Sequence, residues 1–234
     1  MNSMLSGSLT GSIESQFSGL SPAQLLRLSD ERFGPRLAMS TSFGIQSAVT
    51  LHLATRIIPD IKVIWVDTGY LPDETYAYAT TLAKLLDLNL HMYESPLSPG
   101  EMELKHGRLW ESDNVDRLNL YDQIRKVEPM NRALDELGIL GWISGLRSQQ
   151  TEFRKNLPQI KQSGNRLRLY PILDWTNRDV YHYMKEHRLP QHPLFEKGYA
   201  TVGDAHSSRP MSADDSSERD TRFRGVKQEC GLHL

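Results

Sequence analysis

The run Ile61-Lys62-Val63-Ile64-Trp65-Val66 constrains the fold more than any other stretch of the chain. Its β-branched residues favour a strand, and its near-continuous apolar character suits one buried on both faces. Helical patterns flank it at Gln46–Ile57 and Pro72–Leu86, and shorter strand patterns lie at Arg36–Ser40 and Asn89–Tyr93. The alternation continues downstream. Tyr121–Leu137 reads as a helix that Pro129 starts or kinks, Trp142–Ser144 and Leu167–Ile172 as strands, and Asn177–His187 as a helix that Thr176 can cap. Repeated strand–helix units predict an α/β domain with a mostly parallel sheet and helices on both faces. Ser21-Pro22 reads as the start of the first helix, an N-cap followed by Pro at the first helical position.

The flanks differ in character. Residues 1–20 are rich in Ser and Gly with little apolar periodicity, and are expected to be disordered. Residues 190–229 are polar and irregular, too long for an ordinary connection, so they are expected to be functional or disordered. The predicted organisation is a disordered 1–20, a nucleotide-binding domain over 21–206 and a mobile catalytic tail over 207–234. With 234 residues the chain can build one large core. No apolar run approaches the roughly 20 residues of a membrane span, and residues 1–20 lack the pattern of a signal peptide. The formal net charge of −2 gives no overall bias toward nucleic acid.

The single cysteine, Cys230, excludes an internal disulfide and an all-protein four-cysteine metal site within one chain. It sits in a polar segment behind Arg222, Arg224 and Lys227, and nearby cations favour the reactive thiolate. At this point an incidental exposed cysteine and a nucleophile on a mobile arm are both open. The histidines form no metal-ligand pattern: His182 and His187 are spaced i, i+5, which does not bring them to one helix face. His192 and His206 are read as structural or substrate-facing.

Ligands of such sheets bind beyond the carboxyl ends of the strands. Three segments fall there. Ser40–Ser47 combines hydroxyls, Gly44 and a helix start, which can cradle a phosphate or simply cap the helix. It lacks the Gly-Lys-Ser/Thr ending of a P-loop. Val66-Asp67-Thr68-Gly69-Tyr70 follows the best strand, and can be a binding turn or only a helix start. Ser144–Gln150 offers Gly145 for close backbone approach and Arg147 for an oxyanion, or is a solvated helix start. Arg125-Lys126 adds local positive charge. Small cationic clusters at loop ends favour a small polyanion over a nucleic-acid duplex.

Taken together, Ser40–Ser47, Val66–Tyr70, Arg125–Pro129, Gly145–Gln149, Tyr170–Thr176, Gly198–His206 and the ending Lys227–His233, with Glu229-Cys230-Gly231-Leu232-His233 its most specific piece, resemble the PAPS/APS reductase family over nearly the whole chain. The resemblance implies an adenine nucleotide α-hydrolase-like fold related to ATP pyrophosphatases. In those relatives the first loop reads Ser-Gly-Gly-x-Asp-Ser; here Phe43 replaces a glycine and Gln46 the aspartate. APS reductases of similar sequence carry a Cys-Cys pair before the Arg-Lys segment and a Cys-x-x-Cys pair in the late loop, which together hold a four-iron cluster. Here the first site reads Tyr121-Asp122-Gln123-Ile124 and the second Gly203-Asp204-Ala205-His206-Ser207, so the resemblance points to the cluster-free, thioredoxin-dependent form that reduces 3′-phosphoadenylyl sulfate (PAPS) in sulfate assimilation. It implies Cys230 as nucleophile. Ser40, Ser42, Phe43, Gly44, Asp67, Thr68, Gly69, Lys126, Gly145, Arg147, Arg222, Arg224, Lys227 and His233 are expected around the substrate. It further implies no bound cofactor or metal, reduced thioredoxin or glutaredoxin as donor, a homodimer, and a cytoplasmic enzyme without nucleic-acid or membrane partners. Alternatives are a cluster-free adenylyl-sulfate (APS) reductase, a nucleotide-activating ligase or sulfurtransferase on the same fold, and a non-catalytic nucleotide binder.

Overall fold

The computed structural model describes residues 17, 19–229 and 231–232. Cys230, His233 and nearly all of the segment expected to be disordered lie outside the described residues. The first helix, α1 (Pro22–Phe33), starts as its sequence predicts: Ser21 and Gln24 form a reciprocal capping box and Pro22 occupies the first turn.

The central β2 (Lys62–Asp67) lies between β1 (Leu37–Thr41) and β3 (Asn89–Glu94), parallel to both. On its other side β1 pairs in parallel with β4 (Gly141–Ile143), which pairs in parallel with β6 (Arg166–Leu169). The hairpin strand β5 (Ile160–Ser163) closes that edge antiparallel to β6. The sheet order is therefore β3-β2-β1-β4-β6-β5, a mostly parallel six-stranded sheet. Val63 and Ile64 are fully buried, so β2 is covered on both faces as its apolar run demands. Val63 joins a core with Leu25, Leu51 and Leu82. Ile64 faces the opposite layer of Met130, Ala133 and Leu134.

The helices are α2 (Ser47–Ile57), α3 (Asp73–Leu85), α4 (Pro99–His106), α5 (Val115–Asp122), α6 (Glu128–Glu136), α7 (Glu152–Lys155) and α8 (Asn177–Glu186). Sequence periodicity did not reveal α4, α5, α7 or β5, which are short and mostly polar. Pro129 lies in the first turn of α6, and a π-helical stretch, Gln123–Val127, joins α5 to α6. Widening by one residue per turn lets neighbours Arg125 and Lys126 both turn inward, and both are buried. Among the described residues no helix is long and apolar enough to cross a membrane.

Beyond α8 the chain is irregular, as its composition predicts, yet it is packed. Thr221, Arg222 and Phe223 are all buried, and Ser208 bridges to Arg222. The segment up to Phe223 is thus part of the body's packing, although it falls inside the tail expected to move.

Candidate active site

Three loops at the carboxyl ends of β1, β2 and β4 meet the late loop to enclose a cleft of about 250 Å³. This is the position that parallel-sheet topology selects for ligands. Ser40, Ser42, Gly44, Thr68, Lys126, Gly145, Arg147 and Arg222 all line it. Five expected residues do not. Phe43 turns its ring into the core, fully buried and edge-on to Trp65 at 5.0 Å. Its φ of 48° lies in the region that favours glycine, and ring burial offsets that strain. Asp67 is engaged locally, accepting from the Gly69 N–H and the Tyr76 hydroxyl, both at 2.8 Å. Gly69, at φ 71°, leaves no room for a Cβ beside Pro99 and Arg125. Arg224 reaches away to Asp113 at 2.8 Å. Lys227 donates to Asp122 at 2.5 Å.

The neighbouring cations differ in role. Arg125 donates to the Thr68 and Leu97 carbonyls, so it holds the loop after β2 and not a ligand. Lys126 bridges Asp122 at 3.0 Å and Asp204 at 2.8 Å. Thr68 Oγ1 donates to the other Asp204 oxygen at 2.5 Å. Burial alone would raise the Asp204 carboxyl, but Lys126, His206 and Arg222 outweigh it and hold the group well below the usual carboxylate range. Arg147, buried and with its pKa lowered by that burial, donates to Asn177 at 2.7 Å, to Gln46, and to the Trp175 carbonyl at 3.3 Å. Gln46, at the position where the ATP pyrophosphatase loop is expected to carry aspartate, therefore orients an arginine. Arg222 is the least committed of these: among the described residues its guanidinium makes one long hydrogen bond, to Ser207 at 3.5 Å, and its buried Nε has no hydrogen-bond partner. Its guanidinium fork points at Gly203, where a Cβ would come within 2.1 Å of both terminal nitrogens.

In the two segments where APS reductases are expected to carry cluster cysteines, aromatic side chains pack against each other. Tyr121 and His206 are hydrogen-bonded at 3.1 Å, and His206 stacks on Trp110 at 4.3 Å. Burial, opposed by Asp204 and reinforced by Lys126 and Arg222, pushes the His206 imidazole down to about 4. His192, buried, accepts from the Leu194 N–H at Nδ1 and therefore donates from Nε2 to Thr75, 3.1 Å away; burial lowers it to about 4. Both histidines are thus packed neutral side chains. Among the described residues no cluster of His, Cys, Asp or Glu is arranged to hold a metal.

The residues flanking Cys230 reach the cleft from the end of the chain. Glu229 accepts from Arg154 Nε at 2.9 Å and Nη2 at 2.7 Å, and from Thr151 Oγ1 at 2.6 Å. Leu232 lines the cleft beside Met130. Sequence reasoning missed Arg154 and Arg219, which also line it with Gln150 from the third of the expected loops. The positive charge of Arg154 and Arg219 was visible, but not the fold that brings them to the tail.

Fold and cleft together define an adenine nucleotide α-hydrolase-like protein whose pocket carries cationic and hydroxyl side chains in its wall. Distant solved structures share the fold alone: FMN adenylyltransferase of Candida glabrata (TM-score 0.59, 11% identity, 95% of this chain and 81% of that one) and an NH3-dependent NAD synthetase of Campylobacter jejuni (TM-score 0.52, 16% identity, 76% and 75%). Residues 36–210 match the phosphoadenosine phosphosulfate reductase domain, and the chain belongs to this family. It is 57% identical over 222 residues to a phosphoadenosine 5′-phosphosulfate reductase of Synechococcus, covering 95% of this chain and 96% of that protein. A Xylella fastidiosa relative with the same name is 51% identical over 84% of this chain and 82% of its own length. The crystal structure of a PAPS reductase from Candida auris, a phosphate complex, superposes with TM-score 0.71 at 30% identity, over 85% of this chain and 95% of that one.

Proposed function

We propose that this chain reduces PAPS to sulfite and adenosine 3′,5′-bisphosphate in sulfate assimilation, with a reduced thioredoxin or glutaredoxin as electron donor. The Cys230 thiolate attacks the substrate sulfur. A sulfur–sulfur bond forms, the sulfur–oxygen bond to phosphate breaks, and the nucleotide bisphosphate leaves. A donor thiolate then attacks the Cys230 sulfur, sulfite departs, and the donor's second thiol resolves the mixed disulfide. Cys230 returns as thiolate and the donor dithiol leaves oxidised.

The observation that carries this reading is that, on the two sides of the only cysteine, Leu232 lines a cleft walled by Lys126, Arg147 and Arg222, and Glu229 is bonded to Arg154 of the same wall. Arg222 has donor capacity for an anionic group of the substrate. Ser40, Ser42, Gly44 and Gly145 offer hydroxyls and close backbone approach. One cysteine cannot supply the four ligands of an iron–sulfur cluster. The moving part is taken to begin after the buried Phe223, because a donor protein must reach Cys230 between half-reactions. The reading extends to a cytoplasmic homodimer, which sedimentation and fractionation test.

The deciding experiment is sulfite release from PAPS, and from APS alongside it, with a reduced thioredoxin. Sulfite from PAPS at a much higher kcat/KM than from APS supports the proposal. Equal or greater turnover of APS makes the chain a cluster-free APS reductase instead, and no sulfite from either overturns the reading.

A further inference from the structure

Arg154 has the look of an anion-binding arginine: it lines the cleft and is only 4% exposed. Its donors, however, are already engaged. Nε and Nη2 fork onto the two oxygens of Glu229, and Nη1 donates to Gln150. Thr151 Oγ1 adds a third bond to the Glu229 carboxylate, and Arg219 stands 3.8 Å away. Both ends of the pair are withdrawn from water, with side chains 5% and 10% exposed. Burial would raise the Glu229 carboxyl, but Arg154, Thr151 and Arg219 together hold it below its ordinary range, so it docks as an anion.

A two-pronged guanidinium–carboxylate pair fixes orientation as well as distance. Next in the chain comes Cys230, and consecutive Cα atoms are only about 3.8 Å apart. On the far side Gly231, at φ 76°, sits against Val127, and Leu232 packs with the Met130 layer. The charge of the tail is matched a second time by Lys227 on Asp122. Residues 227 and 229 therefore engage partners of opposite sign on different parts of the body, which sets the register of the residue that follows.

We infer that Glu229 is a positioning residue, and that the Arg154 fork with Thr151 is a dock that delivers Cys230 to the cleft. It acts through the chain and not on the substrate. Arg154 is accordingly reserved for the tail while the tail is in place. The inference rests on Cys230 being the nucleophile of the proposed reaction.

The test exploits the single cysteine. Iodoacetamide alkylation of Cys230 is followed by mass in wild type, Glu229→Gln and Arg154→Lys, the last keeping the charge but losing the fork. Single-turnover formation of the S-sulfonate from saturating PAPS is measured in parallel, with the Kd for adenosine 3′,5′-bisphosphate. Glu229→Gln is expected to alkylate at least tenfold faster and to form S-sulfonate at least tenfold slower, with Kd unchanged or tighter. Arg154→Lys should shift both rates the same way, and it carries the test if a thermal melt shows Glu229→Gln to be unfolded. Unchanged alkylation in both variants overturns the dock. Faster alkylation with an unchanged single-turnover rate overturns the positioning role. If wild type itself forms no S-sulfonate, the proposed reaction fails, whereas the alkylation rates still decide whether Glu229 holds the tail.

Discussion

Replacing Gly203 by Ala isolates the contribution of Arg222 without touching any charge. The added Cβ would stand 2.1 Å from both terminal guanidinium nitrogens. Packed atoms do not approach so closely, so the side chain must retreat by about 1 Å or more. What moves is the far end of a flexible side chain, so the fold should survive. What is lost is the placement of a charge-assisted contact, typically worth about 1.5–3 kcal/mol, which corresponds to roughly 10- to 150-fold in affinity. Calorimetric titration of adenosine 3′,5′-bisphosphate should show a Kd raised by that factor in Gly203→Ala, with a similar loss in Arg222→Ala. If Gly203 serves only to admit the guanidinium, adding Gly203→Ala to Arg222→Ala should cost less than about 0.5 kcal/mol further. Wild-type affinity in Gly203→Ala, or full additivity in the double variant, refutes this assignment.

Cys230→Ser should abolish sulfite formation while leaving the nucleotide Kd within about twofold, because no second cysteine can take over; steady-state turnover beside calorimetry checks both. Asp204→Asn removes one partner of a buried ion pair and should destabilise the domain by about 3 kcal/mol, the lower end of the usual range because Asp122 remains on Lys126; a urea midpoint close to wild type rejects that. Since the folded Asp204 carboxyl lies below its unfolded value, its contribution is complete above about pH 4 and is lost as pH falls further toward the folded value. His192 has the same sign over a higher window: neutral when folded, it makes unfolding proton-linked between about pH 6.5 and 4. Stability should therefore fall as pH is lowered through that interval, and His192→Asn should flatten part of the slope; a pH-independent urea midpoint in wild type argues against it.

Strand β2 and the position of the cleft were legible because a buried parallel strand advertises itself by its apolar run, and its carboxyl end locates a loop. The polar strand Ile160–Ser163 could not be read that way, since an edge strand buries little. Ser40, Thr68 and Gly145 were found because turn chemistry is local. Arg154 was not, because its partner lies 75 residues away and nothing local marks the pairing. Arg147 and Lys126 were recognised as functional arginine and lysine positions, yet their partners Gln46, Asn177, Asp122 and Asp204 come from other segments. Phe43 illustrates the converse limit: a residue in a binding loop can be present for the core beneath it.

The π-helical stretch Gln123–Val127 holds one residue more than an α-helix needs over the same turn. Shortening it by one residue would restore ordinary α-helical winding and leave α5 and α6 close to their present phase, because the wide turn absorbs the extra residue locally. The change would fall inside the turn, where the neighbours Arg125 and Lys126 are both buried. With one position gone, the hold of Arg125 on the Thr68 and Leu97 carbonyls and the bridge of Lys126 to Asp122 and Asp204 could not both be kept. A single codon lost there would cost one of two buried cations while sparing the helices on either side.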